Sequence, residues 1–200
     1  WGKTLSNGEI LLVNAKGDKK VNLTQSGYYD YYPKWVDEGK QLLWFSNRNG
    51  LKSYATSGST QNDVYAMFLD QESWDKFNLS KEDFDLMKLM EENKEEKKED
   101  EGSKKKKEKK DKDEEKEIVK PLVFDLDAVD ERKARLTIHS SNLGDAVLSK
   151  DGEKLYYLAR FEKNMNLWET ELRTKKTKML ISLGARSGAL YWDKKQENLF

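Results

Sequence analysis

Three stretches of this chain repeat one another, and any fold must place them equivalently. Residues 22–45, NLTQSGYYDYYPKWVDEGKQLLWF, lie without a gap over residues 135–158, RLTIHSSNLGDAVLSKDGEKLYYL, at an offset of 113. Leu23-Thr24 falls on Leu136-Thr137, Gly39 on Gly152 and Leu42 on Leu155. A third copy, residues 191–200, lies over the same hairpin at an offset of 44, with Ser149 on Asp193, Leu155 on Leu199 and Tyr156 on Phe200.

An offset of 44 matches one four-stranded blade of a β-propeller, which takes about 40–45 residues. The larger offset then leaves 69 residues of insertion, 10 in the loop after Ser46 and 59 beyond Leu69. Each unit reads as four short strands: 31–36 or 145–148, 41–46 or 154–159, 64–69 or 167–172, and a last strand carrying the Leu-Thr pair. Residues 8–15 align with the third of these, which places them late in a preceding unit. The turns 37–40 and 150–153 each carry a glycine, which supplies the positive φ that a tight hairpin needs. Trp35, Trp44 and Phe45 are expected to fill the space between blades.

The expected fold is therefore all-β: a partial β-propeller, about three blades' worth of four-stranded antiparallel sheets, with a helical and charged insertion. Residues 1–29 end one blade, 30–69 and 121–137 form the next, 138–183 a third, and 184–200 begin a further one. Closed propellers need about four to eight blades, so the chain reads as a fragment of a longer protein, with open strand edges that favour association. Within the insertion, residues 70–92 carry apolar side chains at helical spacing, with Ser80 and Asp83 as a capping pair; helices are predicted over 71–77 and from 81 to about 92. Residues 93–120 hold 12 Lys and 11 Asp or Glu in 28 positions without an aromatic, and read as a disordered charged linker or at most a solvated helix extension.

Charge and composition exclude several functions. The net charge is +0, so no global field recruits nucleic acid or an anionic membrane. No run approaches the length of a membrane span. Cysteine is absent, which removes disulfides, thiolate metal sites and cysteine nucleophiles. The single histidine, His139, adjoins Ser140 and Ser141, but adjacency does not make a triad, and no G-x-S-x-G elbow occurs. Asp30, Asp37, Asp145 and Asp151 sit in propeller turns, where side-chain hydrogen bonds explain them better than a metal does. No catalytic residue, metal ligand or cofactor is assigned. The most suggestive loop is 47–63, whose Arg48, Lys52, Tyr54 and Ser57 could bind peptide carboxylates or backbone.

The stretch Pro33-x-Trp35-x-Asp37-x-Gly39-Lys40, followed by an apolar strand and Ser46-Asn47-Arg48-Asn49-Gly50, resembles the repeat of TolB-like and tricorn-like β-propellers. Val36-Asp37-Glu38 replaces the usual Ser-Pro-Asp. The continuation through residues 50–83, with 136–172, is similar to the propeller region of tricorn-protease homologues, serine peptidases of the S41 type. That resemblance implies a non-catalytic propeller that guides or filters peptides, or unfolded polypeptide, toward a catalytic domain outside this chain. Its partners would be further blades and PDZ-like and peptidase domains, in a homo-oligomer or not, and its setting cytoplasmic, or periplasmic in exported homologues. The alternative is a TolB-like scaffold for protein–protein interaction without hydrolysis.

Overall fold

The computed structural model of the protein describes residues 7–52, 60–105, 122 and 124–200, with 94–105 described by backbone course alone. A two-stranded antiparallel sheet comes first, from β1 (Leu11–Val13) and β2 (Lys20–Asn22). A four-stranded antiparallel meander follows: β3 (Asp30–Val36), β4 (Gln41–Ser46), β5 (Asp63–Phe68) and, after the insertion, β6 (Lys133–Arg135). The insertion carries α1 (Gln71–Asn78) and α2 (Lys81–Lys105). The second complete meander is β7 (Asn142–Leu148), β8 (Lys154–Arg160), β9 (Met165–Glu171) and β10 (Lys176–Ala185). A final hairpin bridges Trp192 to Leu199.

The alternation of apolar side chains along each strand builds three successive cores. Leu42 and Trp44 of β4, with Tyr65 and Met67 of β5, pack on Ile10 and Leu23 of the first sheet. Leu43, Phe45, Val64, Ala66 and Phe68 point the opposite way and meet Ala146, Leu148, Leu155, Tyr157 and Ala159 of the second meander. The far face of that meander, Val147, Leu158, Met165 and Leu167, packs on Leu190, Trp192 and Leu199. Each fully buried Leu or Phe in such a layer contributes roughly 1.5–3 kcal/mol. Leu42 and Leu155 thus do the same job one blade apart, each facing the preceding sheet: Leu42 pairs with Trp35 and Leu155 with Leu148.

The last two copies of the turn repeat down to their hydrogen bonds, whereas the first, 37–40, is a 3-10 turn in which Lys40 N donates to Asp37 O at 2.9 Å. Ser149 N donates to Lys154 O at 2.8 Å and Gly152 N to Ser149 O at 2.9 Å; 44 residues on, Asp193 N donates to Asn198 O and Gln196 N to Asp193 O, both at 3.0 Å. Gly39 and Gly152 hold φ of 92° and 72° as expected, while Gln196 accepts a φ of 57° in the last copy. One aromatic departs from expectation. Trp44 and Phe45 are buried between sheets, but Trp35 is 51% exposed and stacks on Phe124 at 5.8 Å. The first sheet offers two strands among the described residues, and its core with the second sheet draws on β4 and β5 but on no residue of β3.

Both helices start on capped turns. The Asp70 carboxylate accepts from Ser73 N at 2.7 Å, and Ser80 Oγ accepts from Asp83 N at 3.1 Å while donating to the Asp83 carboxylate. α2 then outruns the apolar pattern and continues to Lys105, so the charged linker expected from residue 93 is helical in its first part. Residues 106–120 lie outside the described residues. Among the described residues no helix is long and apolar enough to cross a membrane.

Candidate functional site

Antiparallel order sorts the connections to two rims. The β3–β4 and β7–β8 turns, the β9–β10 turn and the helical insertion between β5 and β6 share one rim; the β4–β5 loop and the β6–β7 connection share the other. The described ends of the loop after Ser46, residues 47–52 and 60–62, therefore lie across the sheet from the helices.

At the helical rim, Arg173 fastens the insertion to the neighbouring sheet. Its guanidinium grips the Glu153 carboxylate in two places, Nε to Oε2 at 2.5 Å and Nη2 to Oε1 at 3.0 Å. It also donates to the carbonyls of Lys76, Phe77 and Leu79 at the end of α1, at 2.9, 3.2 and 2.6 Å. The ring of Phe84 lies 3.8 Å beneath it. A cation placed on the last carbonyls of a helix satisfies acceptors that have no partner within the helix.

At the opposite rim a buried acid clasps strand to connection, and it does so twice. Asp63, fully buried, accepts from Arg135 Nη2 and Nε at 2.8 and 3.0 Å, from Thr137 Oγ1 at 2.8 Å and from Ser140 Oγ at 2.8 Å. In the first sheet Glu9 takes the same place, accepting from Thr24 Oγ1 at 2.7 Å and Ser26 N at 3.3 Å. Each threonine hydroxyl also accepts from a strand amide, Ile10 N at 3.1 Å and Val64 N at 3.2 Å. In the second meander the equivalent position is Asn166, which accepts from Gly184 N. These bonds leave Ser140 committed to Asp63, with His139 exposed beside it.

The β4–β5 loop leaves this rim over a group of tyrosines. The Arg48 guanidinium lies 5.3 Å from the Tyr28 ring and 5.7 Å from the Tyr65 ring, and Lys52 Nζ lies 4.9 Å from Tyr28. Lys52 Nζ donates to Arg48 O at 3.1 Å, and the Tyr65 hydroxyl bonds Asn49 Oδ1. Arg48 Nε is buried with no hydrogen-bond partner among the described residues. Among the described residues neither cation has a carboxylate within ion-pair distance. Nearby Lys133 titrates below the ordinary lysine value, chiefly from burial and then from the Arg48 charge, with Asp130, Asp30 and Glu9 opposing. Burial, then Asp63, pushes the Tyr65 phenol up, while Arg48 and Arg135 pull it down. Two cations over one tyrosine ring form a seat that favours an anionic group.

The innermost strands form a separate cleft of about 540 Å³ between the second sheet, the third and the final hairpin, walled by Trp35, Leu148, Tyr191 and Trp192. Asp145 knits its wall: it pairs with Lys34 of the preceding sheet and accepts from Leu190 N of the following hairpin at 2.9 Å. Trp192 Nε1 donates to Leu148 O at 2.6 Å. Asp30 and Asp145 lie in β3 and β7 rather than in turns; Asp30 accepts from Ser26 and Trp44, and the turn acids Asp37 and Asp151 accept from Gln41 and from Ser149 and Glu153 N. Among the described residues no three His, Asp or Glu side chains converge as a metal site requires.

No family model matches the chain, and no curated protein does. Two solved structures superpose on 96% of it. TolB from Acinetobacter baumannii does so at 10% identity and a TM-score of 0.51, and the tricorn protease at 11% identity and a TM-score of 0.54. The fold is that of a TolB-like β-propeller. The chain spans 31% of the TolB chain and 17% of the tricorn protease chain.

On this propeller the loop residues singled out from sequence divide. Arg48 and Lys52 come together over Tyr28, while Tyr54 and Ser57 lie outside the described residues. Sequence reasoning missed Tyr28, Tyr65 and Lys133, which reach the same place from the β2–β3 connection, β5 and β6. It also missed the acids of the clasp. An acid at the start of the third strand, followed by Leu-Thr after the fourth, was present in both copies. In the second copy 73 residues separate Asp63 from Leu136, against 14 from Glu9 to Leu23, which hides the spacing.

Proposed function

We propose that the chain is the non-catalytic β-propeller part of a tricorn-like serine peptidase and guides or filters peptides toward a catalytic domain outside it. The observation that carries this reading is the pair of cations, Arg48 and Lys52, poised over Tyr28 at the loop rim without a carboxylate of their own among the described residues. Peptide carboxylates supply the missing charge, and the backbone of an extended peptide suits the tyrosine-lined rim beside it. Charge-assisted hydrogen bonds are worth about 1.5–3 kcal/mol each, so losing both cations should weaken binding by roughly tenfold or more.

The test is fluorescence anisotropy of the full chain with a fluorescein-labelled decapeptide rich in Asp and Glu, against the same peptide with Asn and Gln. Arg48→Ala/Lys52→Ala is expected to lose the acidic peptide at least tenfold and to leave the neutral one unchanged. Equal affinity of wild type and double variant for the acidic peptide would remove the reading. A second reading, a TolB-like scaffold that binds a folded protein without proteolysis, is supported by the exposed Tyr28, Tyr29 and Tyr32 beside the same rim. It is favoured if the double variant leaves every peptide unaffected while Tyr29→Ala/Tyr32→Ala abolishes capture of a folded partner. With the peptidase reading goes a cytoplasmic setting for the parent protein, or a periplasmic one for an exported homologue.

A further inference from the structure

We propose that strand β10 pairs antiparallel with β10 of a second copy of this chain, making the outer edge of the third sheet a homodimer interface. β10 is an edge by topology, hydrogen-bonded among the described residues to β9 alone, and it runs ten residues where the other outer strand, β6, has three. Its register with β9 skips Leu180 and then 182–184, so the middle of the strand is only partly engaged. Met179, Leu180, Ile181 and Leu183 are 39–51% exposed there. A long edge with unpaired backbone groups and exposed apolar side chains is a template for another strand.

The charges select the occupant and its direction. Lysines sit only in the first half, Lys176 and Lys178, and the second half, 180–185, carries no charge. With a two-fold axis through Leu180, Lys178 of one copy faces Ser182 of the other and Lys176 faces Gly184, so no like charges meet. Parallel pairing would set lysine beside lysine, which is destabilising. Lys178 is moreover drawn back onto its own sheet, 3.1 Å from Glu169 Oε1 in an ion contact without hydrogen-bond alignment, and does not guard the edge. Gly184, with φ of 63°, ends the regular stretch, leaving 177–183 as a segment symmetric about Leu180.

The full chain should show a concentration-dependent mass in sedimentation velocity, rising from monomer toward dimer through on the order of 10–100 µM, since one strand pair buries less than the ~1,200 Å² of a standard interface. The chain has no cysteine, so single substitutions report position cleanly. Leu180→Cys should form a disulfide dimer on mild oxidation. Lys176→Cys should not, because two copies of residue 176 lie eight positions apart along the ladder, roughly 27 Å, against the ~4–7 Å that a disulfide spans. Leu180→Lys should remain monomeric with an unchanged far-ultraviolet circular dichroism spectrum. A wild-type chain that stays monomeric to about 200 µM overturns the proposal. So does a dimer in which Lys176→Cys cross-links as readily as Leu180→Cys, or one that persists in Leu180→Lys.

Discussion

Replacing Arg173 by alanine should release the two helices of the insertion while leaving the sheets folded. The side chain is 9% exposed and Glu153 20%, so most of the ion pair is removed from water. Breaking such a pair by deleting one partner costs about 3–5 kcal/mol when the other charge stays buried. Glu153 regains some water in the variant, and the bond to the Lys76 carbonyl is already exposed, which lowers the figure to about 2–3 kcal/mol. That loss falls on one contact, the docking of α1 and the first turns of α2 on the third sheet. The assay is amide hydrogen exchange read by mass spectrometry. Protection across residues 71–92 should drop by about 30- to 150-fold, with β8 and β9 unchanged. Arg173→Lys should recover little, since a point charge cannot hold Glu153 and three carbonyls at once. Equal protection in wild type and Arg173→Ala, or a uniform drop across all sheets, would refute the reasoning.

Two further outcomes test the packing. Asp63→Ala removes, from a fully buried position, the acceptor of the Thr137 and Ser140 hydroxyls and the ion-pair partner of Arg135, which is 32% exposed and keeps Ile138 O, and should cost about 2–4 kcal/mol, read as a lower urea midpoint at unchanged slope. An unchanged midpoint would show that the clasp is ornamental. The Tyr31 phenol is pushed up to about 12, by burial first and then by the neighbouring Tyr29 and Tyr32. Its folded pKa stands above the unfolded value of about 10, so the associated stability is fully present below pH ~10 and declines as pH rises toward 12. The phenolate absorbance difference between wild type and Tyr31→Phe should therefore appear only near pH 12, and a midpoint near 10 would contradict the burial.

The parts of this fold that could be read beforehand were those where neighbours in sequence set the structure. The hairpins at Gly39 and Gly152 depend on a turn and on alternation within a dozen residues, and the equivalence of Leu42 and Leu155 follows from them. The Asp193–Asn198 turn, matching Ser149–Lys154 bond for bond, was legible for the same reason. Long-range properties were not. Trp35 looked like an inter-blade filler because its pattern matches that of Leu148, yet what covers it is Phe124, which no local pattern links to it. The extension of α2 past residue 93 was foreseen only as the lesser outcome, because no apolar stripe continues there to mark a helix. At the loop rim, Arg48 and Lys52 could be named from a loop, but Tyr28 and Tyr65 are brought to them by the pairing of β3 and β5 with β4. The rim assignment itself depends on strand parity, which sends the end of β4 and the start of β5 to the rim opposite the helices.

The central claim is that equivalent sheets stack face to face in series, and methyl nuclear Overhauser effects test it most directly. Contacts should link Leu43 and Val64 with Leu148 and Leu155, and a separate set should link Leu42 with Ile10 and Leu23. A direct contact between Leu42 and Leu155 would place both leucines in one core and contradict the serial stack.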